Sequence, residues 1–267
     1  MPSANIPDRT LGRLGTLEVR LARTPEEFAG AQRLRFQVFR ESRSSLACCR
    51  EASDRDEFDP HCDHLIVMDT TPGATETVAT CRLLPRDVAE AGSGFYSSRE
   101  FDLGPLIAAH PGARLLEVGR SCVAERHRAR RAAELMWHGL WRYTLERRAD
   151  ILFGCASFDG TDLRTFAQPL AFLARHASAP LAWRARAWPD RYIAMDAPEN
   201  GALDIRGAMR ALPPLVRGYI KLGARVGDGA VIDHEFGTTD VLVMLRVKDI
   251  DPRYIAYYRA DASRRAA

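Results

Sequence analysis

No stretch of these 267 residues approaches the roughly 18–20 apolar residues needed to cross a bilayer. The N-terminus has neither the charged start nor the apolar run of a secretory signal. The expectation is a cytoplasmic protein, with peripheral contact at the inner face of the membrane left open. Regularly spaced cysteines are also missing. Cys48, Cys49, Cys62, Cys81, Cys122 and Cys155 are irregular, and several sit in apolar, strand-like runs, which suits reduced thiols better than a disulfide framework. Adjacent Cys48 and Cys49, even with His61, Cys62 and His64 nearby, serve zinc geometry poorly, so no metal is expected. There is no G-x-S-x-G elbow and no nucleophile–base pair. No nucleic-acid motif accompanies the basic residues, and the net charge is only +3.

The apolar and charged fractions are those of an ordinary globular protein, long enough to bury a large core. Residues 1–15 carry little hydrophobic periodicity and residues 259–267 are small and polar. Both ends read as loosely held, around a single domain over 16–258. Residues 17–22 alternate like a strand. Thr24-Pro25-Glu26-Glu27 predicts a helix start, with Thr24 as N-cap, Pro25 at the first helical position and Glu27 completing a capping box. Phe28, Ala31, Leu34, Val38 and Phe39 form one apolar stripe on that helix, and Arg35 falls inside it. A guanidinium there either snorkels outward or reaches a carboxylate.

Strands are predicted at 64–69, 76–84, 114–123 and 151–156, with helices over about 130–148 and 161–176. Leu212-Pro213-Pro214 opens a further helix, and a glycine-marked strand pair lies around 224–233 and 240–247. The order is α/β, with a mixed sheet containing long antiparallel stretches.

Four groups of residues are candidates for carrying chemistry. Glu117 and Arg120 are three apart and would face opposite sides of a regular strand. Gly119 between them permits a β-bulge that puts both on one face and frees a backbone N–H for an oxyanion. The alternative is an Arg–Glu pair that only holds the sheet. Asp56, Asp59 and Asp63, with Arg35, Arg82 and Arg120 elsewhere, suit a cationic or zwitterionic amine, although loop acids are usually just solvated. Ser157 and Asp159, at a strand end, are either ligand contacts or helix caps. Arg126, Arg128, Arg130 and Arg131 form a strongly basic run that by itself reads as a solvated helix face.

In order along the chain, Leu34–Phe39, Asp56–Asp59, Cys81–Pro85 and Glu117–Arg120 resemble the motifs of acyl-homoserine-lactone synthases. Cys62–Val67, Glu117–Val123, Gly154–Phe158, Leu212–Leu215 and Gly223–Asp240 are more similar still to the L-ornithine N-alpha-acyltransferases of ornithine-lipid synthesis. Together these stretches span roughly residues 17–258. The resemblance implies a GNAT (acyl-CoA N-acyltransferase-like) fold, a mixed central sheet flanked by helices. It also implies transfer of a 3-hydroxyacyl group from acyl carrier protein to the α-amine of ornithine, giving lyso-ornithine lipid. Carried over, Arg35, Phe39, Asp56, Asp59, Arg82, Glu117 and Arg120 match site positions. No tryptophan stands near Leu46 where the lactone synthases have one.

The glycine-rich pyrophosphate loop of the superfamily is replaced by His127-Arg128-Ala129-Arg130-Arg131-Ala132. This favours an acidic carrier protein, bearing a 4′-phosphopantetheine thioester, over tightly held coenzyme A. No permanently bound cofactor is expected. A lactone synthase, another GNAT enzyme and a non-catalytic GNAT-like binding domain are the alternatives.

Overall fold

Thr24 and Glu27 behave as their side chains dictate. In the computed structural model, which describes residues 10–41, 53–128, 131–196 and 203–255, each satisfies a backbone N–H of the other. The helix they open ends in a π-helical turn, Gln37–Glu41. In chain order the elements are β1 (Gly12–Leu14), β2 (Leu17–Leu21), α1 (Pro25–Phe36), β3 (Asp63–Asp69), β4 (Glu76–Pro85) and α2 (Arg86–Ala91). Next come β5 (Phe101–Asp102), α3 (Gly104–Ala109), β6 (Leu115–Val123) and α4 (Ala132–Glu146). The remainder holds β7 (Ile151–Asp159), α5 (Leu163–His176), β8 (Arg186–Ala187), α6 (Ile205–Ala211), α7 (Pro214–Lys221), β9 (Arg225–Asp233) and β10 (Thr238–Arg246).

The described residues group into two compact units. The first takes residues up to Gly94, Leu116–Ala149 and those from Pro252 onward; the second takes Phe95–Leu115 and Asp150–Asp251. In the first, β1, β2, β3, β4 and β6 pair antiparallel in that order. Side chains of β3 alternate between two helices. Ile66 and Met68 pack on Ala31 of α1, while Leu65 faces Gly139 of α4. In the second unit β7 pairs antiparallel with β10 along its whole length, and β10 antiparallel with β9. Strand β8 then pairs parallel with β9 and antiparallel with β5. The pairing is mixed, as expected, with long antiparallel stretches.

Three elements differ from the expectations. Residues 12–14 are not loose: Gly15, at φ 60°, allows a two-residue turn, so β1 folds back on β2 and Leu11 is buried. Residues 1–9 and 256–267 lie outside the described set. Helix α4, expected to bury Ala133, Met136, Trp137, Leu140, Trp141 and Thr144, does bury Met136, Leu140, Trp141 and Thr144 and adds Leu135, His138, Gly139 and Tyr143, while Ala133 and Trp137 are only half-buried. The connection between β4 and β6, expected only as long, contains α2, β5 and α3.

Gly139 marks the closest approach of α4 to the sheet. A Cβ there would lie 2.4 Å from Cγ2 of the fully buried, β-branched Val19, which has little rotamer freedom to yield. Gly139→Ala is therefore expected to lower unfolding free energy by about 1–3 kcal/mol despite alanine's better helix propensity, read as a lower urea midpoint. Gly218→Ala on α7, where a Cβ meets nothing within 4 Å, should leave the midpoint unchanged or raise it. Equal midpoints for Gly139→Ala and the unaltered protein would contradict this packing.

Candidate active site

Arg35 sits on the sheet-facing side of α1 with its side chain 1% exposed, so it cannot reach water. Of the two fates open to it, it takes the second. Its Nη1 and Nη2 each donate at 2.8 Å to the two oxygens of Asp59, its Nε lies 2.9 Å from Asp54 Oδ2, and Nη2 also donates to the Asp54 carbonyl. Asp54 and Asp59 come from the segment that leads into β3. The 3-10 turn Asp59–His61 closes that segment, and the Asp56 and Phe58 N–H groups donate to the Asp59 and Asp56 carboxylates.

The network extends across two strands. Arg82 of β4 donates through Nη1 to Asp56 at 2.5 Å and to Asp59 at 3.2 Å. Arg120 of β6 reaches Asp56 Oδ2 and Asp54 Oδ2, each at 3.3 Å. Three guanidiniums thus face three carboxylates on the α1 side of the sheet. His64, directly opposite Arg82 in the β3–β4 register, is buried beneath them with Nε2 3.1 Å from the Asp59 carbonyl and its ring edge-on to Phe28. Burial pushes its pKa down, so it is neutral at physiological pH.

Strand β6 carries the expected bulge at a shifted position. Arg82 pairs with Gly119 and Thr80 with Cys122, so one residue on β4 faces two on β6. The left-handed residue is Arg120, at φ 51°, rather than Gly119. A side chain other than glycine in that region is strained by about 1–2 kcal/mol, and two ion pairs hold this one there. Glu117, opposite Leu84 and two residues from Gly119, shares the face of Arg82 and is buried. The bulge therefore brings Glu117 and Arg120 to one side. A Cβ at Gly119 would meet nothing within 4 Å among the described residues, so the backbone there is open to an approaching group.

The acids do not stand as expected. Asp56 and Asp59 are engaged by arginines, and Asp59 accepts from Arg35, Arg82 and the Asp56 N–H, so neither is a free counter-ion for an amine. Asp63 points to the opposite face of β3, as strand alternation requires. There it accepts from Tyr143 Oη at 2.6 Å and Arg147 Nη2 at 3.0 Å, away from this cluster. Phe39 is half-buried on the π-helical turn after α1.

Ser157 and Asp159 are exposed residues within β7 of the second unit, and the cap of α5 is Asp162 instead, so capping does not account for them. Arg126, Arg128 and Arg131 are exposed; Arg126 pairs with Glu76, and Arg131 lies 3.9 Å from Glu134. Arg130 lies outside the described residues, as do Cys48 and Cys49. Asp54 was the site residue missed. Only its place two residues before Asp56 in an acid-rich loop hinted at it.

The thiols of Cys62 and Cys122 are poor nucleophiles. Burial pushes Cys62 and Cys122 up to about 12, against the lowering pull of Arg82 on the first and Arg35 on the second. Asp59 goes the other way. Burial would raise its pKa, but the Arg35 hydrogen bond and the charges of Arg35 and Arg82 outweigh it and hold the carboxyl at about 2.

Because the folded-state pKa is depressed, the stabilisation is fully present above about pH 4 and is lost as pH falls through 2. It amounts to about 2 kcal/mol. Asp59→Asn is expected to cost about 3 kcal/mol at pH 7 by leaving Arg35 short of a charge partner. It should also flatten the loss of stability between pH 4 and 2, measured by urea unfolding across that range. A variant with the original acid profile would contradict the assignment.

The sequence matches a family model described as an acetyltransferase (GNAT) domain over residues 34–138. The L-ornithine N(alpha)-acyltransferase of Agrobacterium fabrum is 46% identical over 259 residues, covering 95% of this chain and 88% of that protein. The protein of the same name from Brucella abortus is 46% identical over 260 residues, 95% of this chain and 92% of its own. That of Rhodobacter capsulatus is 41% identical over 247 residues, 90% and 94% respectively. Among solved structures, FeeM, an N-acyl amino acid synthase from uncultured soil microbes, aligns over 87% of this chain and 91% of its own. The identity is 13% and the TM-score 0.48. Identity above 40% across nearly the full length of both partners settles the matter: this chain, an acyltransferase of the GNAT type, belongs to the L-ornithine N(alpha)-acyltransferase family.

Proposed function

We propose that this protein transfers a 3-hydroxyacyl group from the phosphopantetheine thioester of acyl carrier protein to the α-amine of L-ornithine. The observation that carries the reading is the bulge in β6. It sets a buried carboxylate, Glu117, and a strained arginine, Arg120, on one face beside an open stretch of backbone at Gly119. The curated relatives bear the name of this ornithine acylation. Glu117 takes a proton from the α-ammonium, directly or through a water, and the neutral amine attacks the thioester carbon. A backbone N–H released by the bulge at Gly119 or Arg120 holds the tetrahedral oxyanion. Collapse breaks the C–S bond, the proton held by Glu117 passes to the departing thiolate, and the remaining extra proton on the attacking nitrogen goes to the freed Glu117 carboxylate and on to water, which leaves the neutral amide. No covalent enzyme intermediate is needed, which agrees with the raised thiols.

Arg120 is the least buried of the three networked arginines, with 13% of its side chain exposed against 1% for Arg35 and 4% for Arg82. It is the one placed to meet the acceptor carboxylate; Arg35 and Arg82 act as positioning residues behind it. Exposed Arg126, Arg128 and Arg131 steer the acidic carrier, and the donor arrives with its own phosphopantetheine, so the enzyme keeps no resident cofactor. Among the described residues no helix is long and apolar enough to cross a membrane. We place the reaction in the cytoplasm or at the inner membrane face, where an acylated product would partition into lipid.

Purified protein incubated with 3-hydroxyacyl carrier protein and a panel of amino acids should yield N-acylated ornithine by mass spectrometry. Acylated product with another acceptor only, or with none, would refute the proposal. Glu117→Gln should lower turnover at least about 100-fold while changing carrier affinity little. Unaltered turnover would remove Glu117 from the mechanism.

A further inference from the structure

Exposed arginines of the second unit commonly have an acid close by. Arg114 pairs with Asp150, Arg164 with Asp162, Arg175 with Asp196 and Arg186 with Asp228. One stretch breaks that pattern. Residues 203–225, which hold α6 and α7, carry Arg206, Arg210, Arg217, Lys221 and Arg225 against a single acid, Asp204. That acid is committed to the start of α6, where it accepts from the Gly207 N–H at 2.9 Å. Arg206, Arg210, Lys221 and Arg225 are exposed, and among the described residues none of them forms an ion pair. Arg217 is half-buried and donates at 3.0 Å to the Arg210 carbonyl, which ties the end of α6 to α7 and draws the cations of the two helices together.

Local folding does not ask for this arrangement. Arg206 and Arg210 are four apart on α6, Arg217 and Lys221 four apart on α7, and like charges at that spacing repel. A place in the last helical turn, where the dipole favours a cation, accounts for Arg210 and Lys221 but not for Arg206 or Arg225. The core side is taken by Ala208 and Leu212 from α6 and Val216 from α7, so the charges stand on the solvent side. Beside them Ile205, the first residue of α6, is 49% exposed. Unmatched cations around an exposed aliphatic side chain make a surface that is both basic and apolar.

We infer that the solvent face of α6 and α7 docks on an anionic lipid bilayer. The cations meet the headgroup phosphates, and Ile205 enters the boundary between headgroups and acyl chains. Long arginine and lysine stems lie along that boundary while their charges stay in the headgroup layer. An acidic protein is the competing partner, but the carrier already has exposed arginines to meet in the first unit, beside the strand that bears Glu117. The inference rests on the proposed function for its purpose, an acylated product bound for lipid. It rests on the charge pattern for its location.

The test is co-sedimentation of the full chain with large unilamellar vesicles, without donor or acceptor. Vesicles of phosphatidylcholine with about 30 mol% phosphatidylglycerol should retain the protein, vesicles of phosphatidylcholine alone should not, and added salt should release it. Arg206→Gln, Arg210→Gln and Lys221→Gln combined should lower the partition coefficient on the anionic vesicles about 100-fold, at about fivefold per charge. These side chains are exposed and unpaired, so the variant should keep the original Tm. Ile205→Ser alone should lower partitioning at least about threefold.

Absent binding to the anionic vesicles, or equal binding to both compositions, would overturn the inference. So would binding that survives the triple substitution but is lost in Arg126→Gln with Arg128→Gln, because the membrane contact then lies in the first unit. A triple variant that binds vesicles normally and loses affinity for the carrier would give the face to the carrier instead. No substrate enters the vesicle assay, so a failure to acylate ornithine would refute the functional reading and leave the membrane face standing.

Discussion

Arg35 is the constraint around which the first unit is organised. A guanidinium sealed under a helix costs several kcal/mol unless its charge is met and its donors are filled. Here Asp59 accepts from two of its nitrogens, and the Asp54 carboxylate lies 2.9 Å from the third as a counter-charge. Those partners come from a loop, so satisfying the arginine also pins that loop against the sheet. Once pinned, Asp56 lies within reach of both Arg82 and Arg120, and neighbouring strands are tied through a shared carboxylate. The strained backbone of Arg120 persists because its side chain is held at the far end of this network, and the position of Glu117 on β6 follows from the same bulge.

Such an arrangement suits acyl transfer from a thioester. The bond broken is already activated, so the protein need not form a covalent intermediate. It has to deprotonate one amine, hold it against one carbonyl carbon and accommodate an oxyanion. Buried, high-pKa thiols beside the site fit that economy, since a reactive cysteine there would compete for the acyl group.

Much of this was legible from residues alone, and the exceptions have local causes. The capping box and the strand boundaries follow from short-range chemistry and were readable. Arg35 announced itself as a charge inside an apolar stripe, yet the sequence could not choose between snorkelling and pairing. That choice depends on Asp54 and Asp59, about twenty residues away and joined to it only by the fold. Gly119, between Glu117 and Arg120, marks where a bulge is permitted. The bulge formed at Arg120 because ion pairs offset the strain. Asp63 was misplaced for a simpler reason: one step along a strand turns a side chain to the other face.

The central claim is that the buried charge network positions the catalytic strand rather than merely stabilising the sheet. Asp54 touches Arg35 and Arg120 and is itself buried, so it tests that claim without contacting substrate. The decisive measurement is the single-turnover rate of Asp54→Asn with saturating carrier and ornithine, made on protein shown by near-ultraviolet circular dichroism to be folded. The account predicts a rate reduced about 10- to 100-fold with carrier affinity retained. A folded variant that transfers acyl groups at the original rate would contradict it.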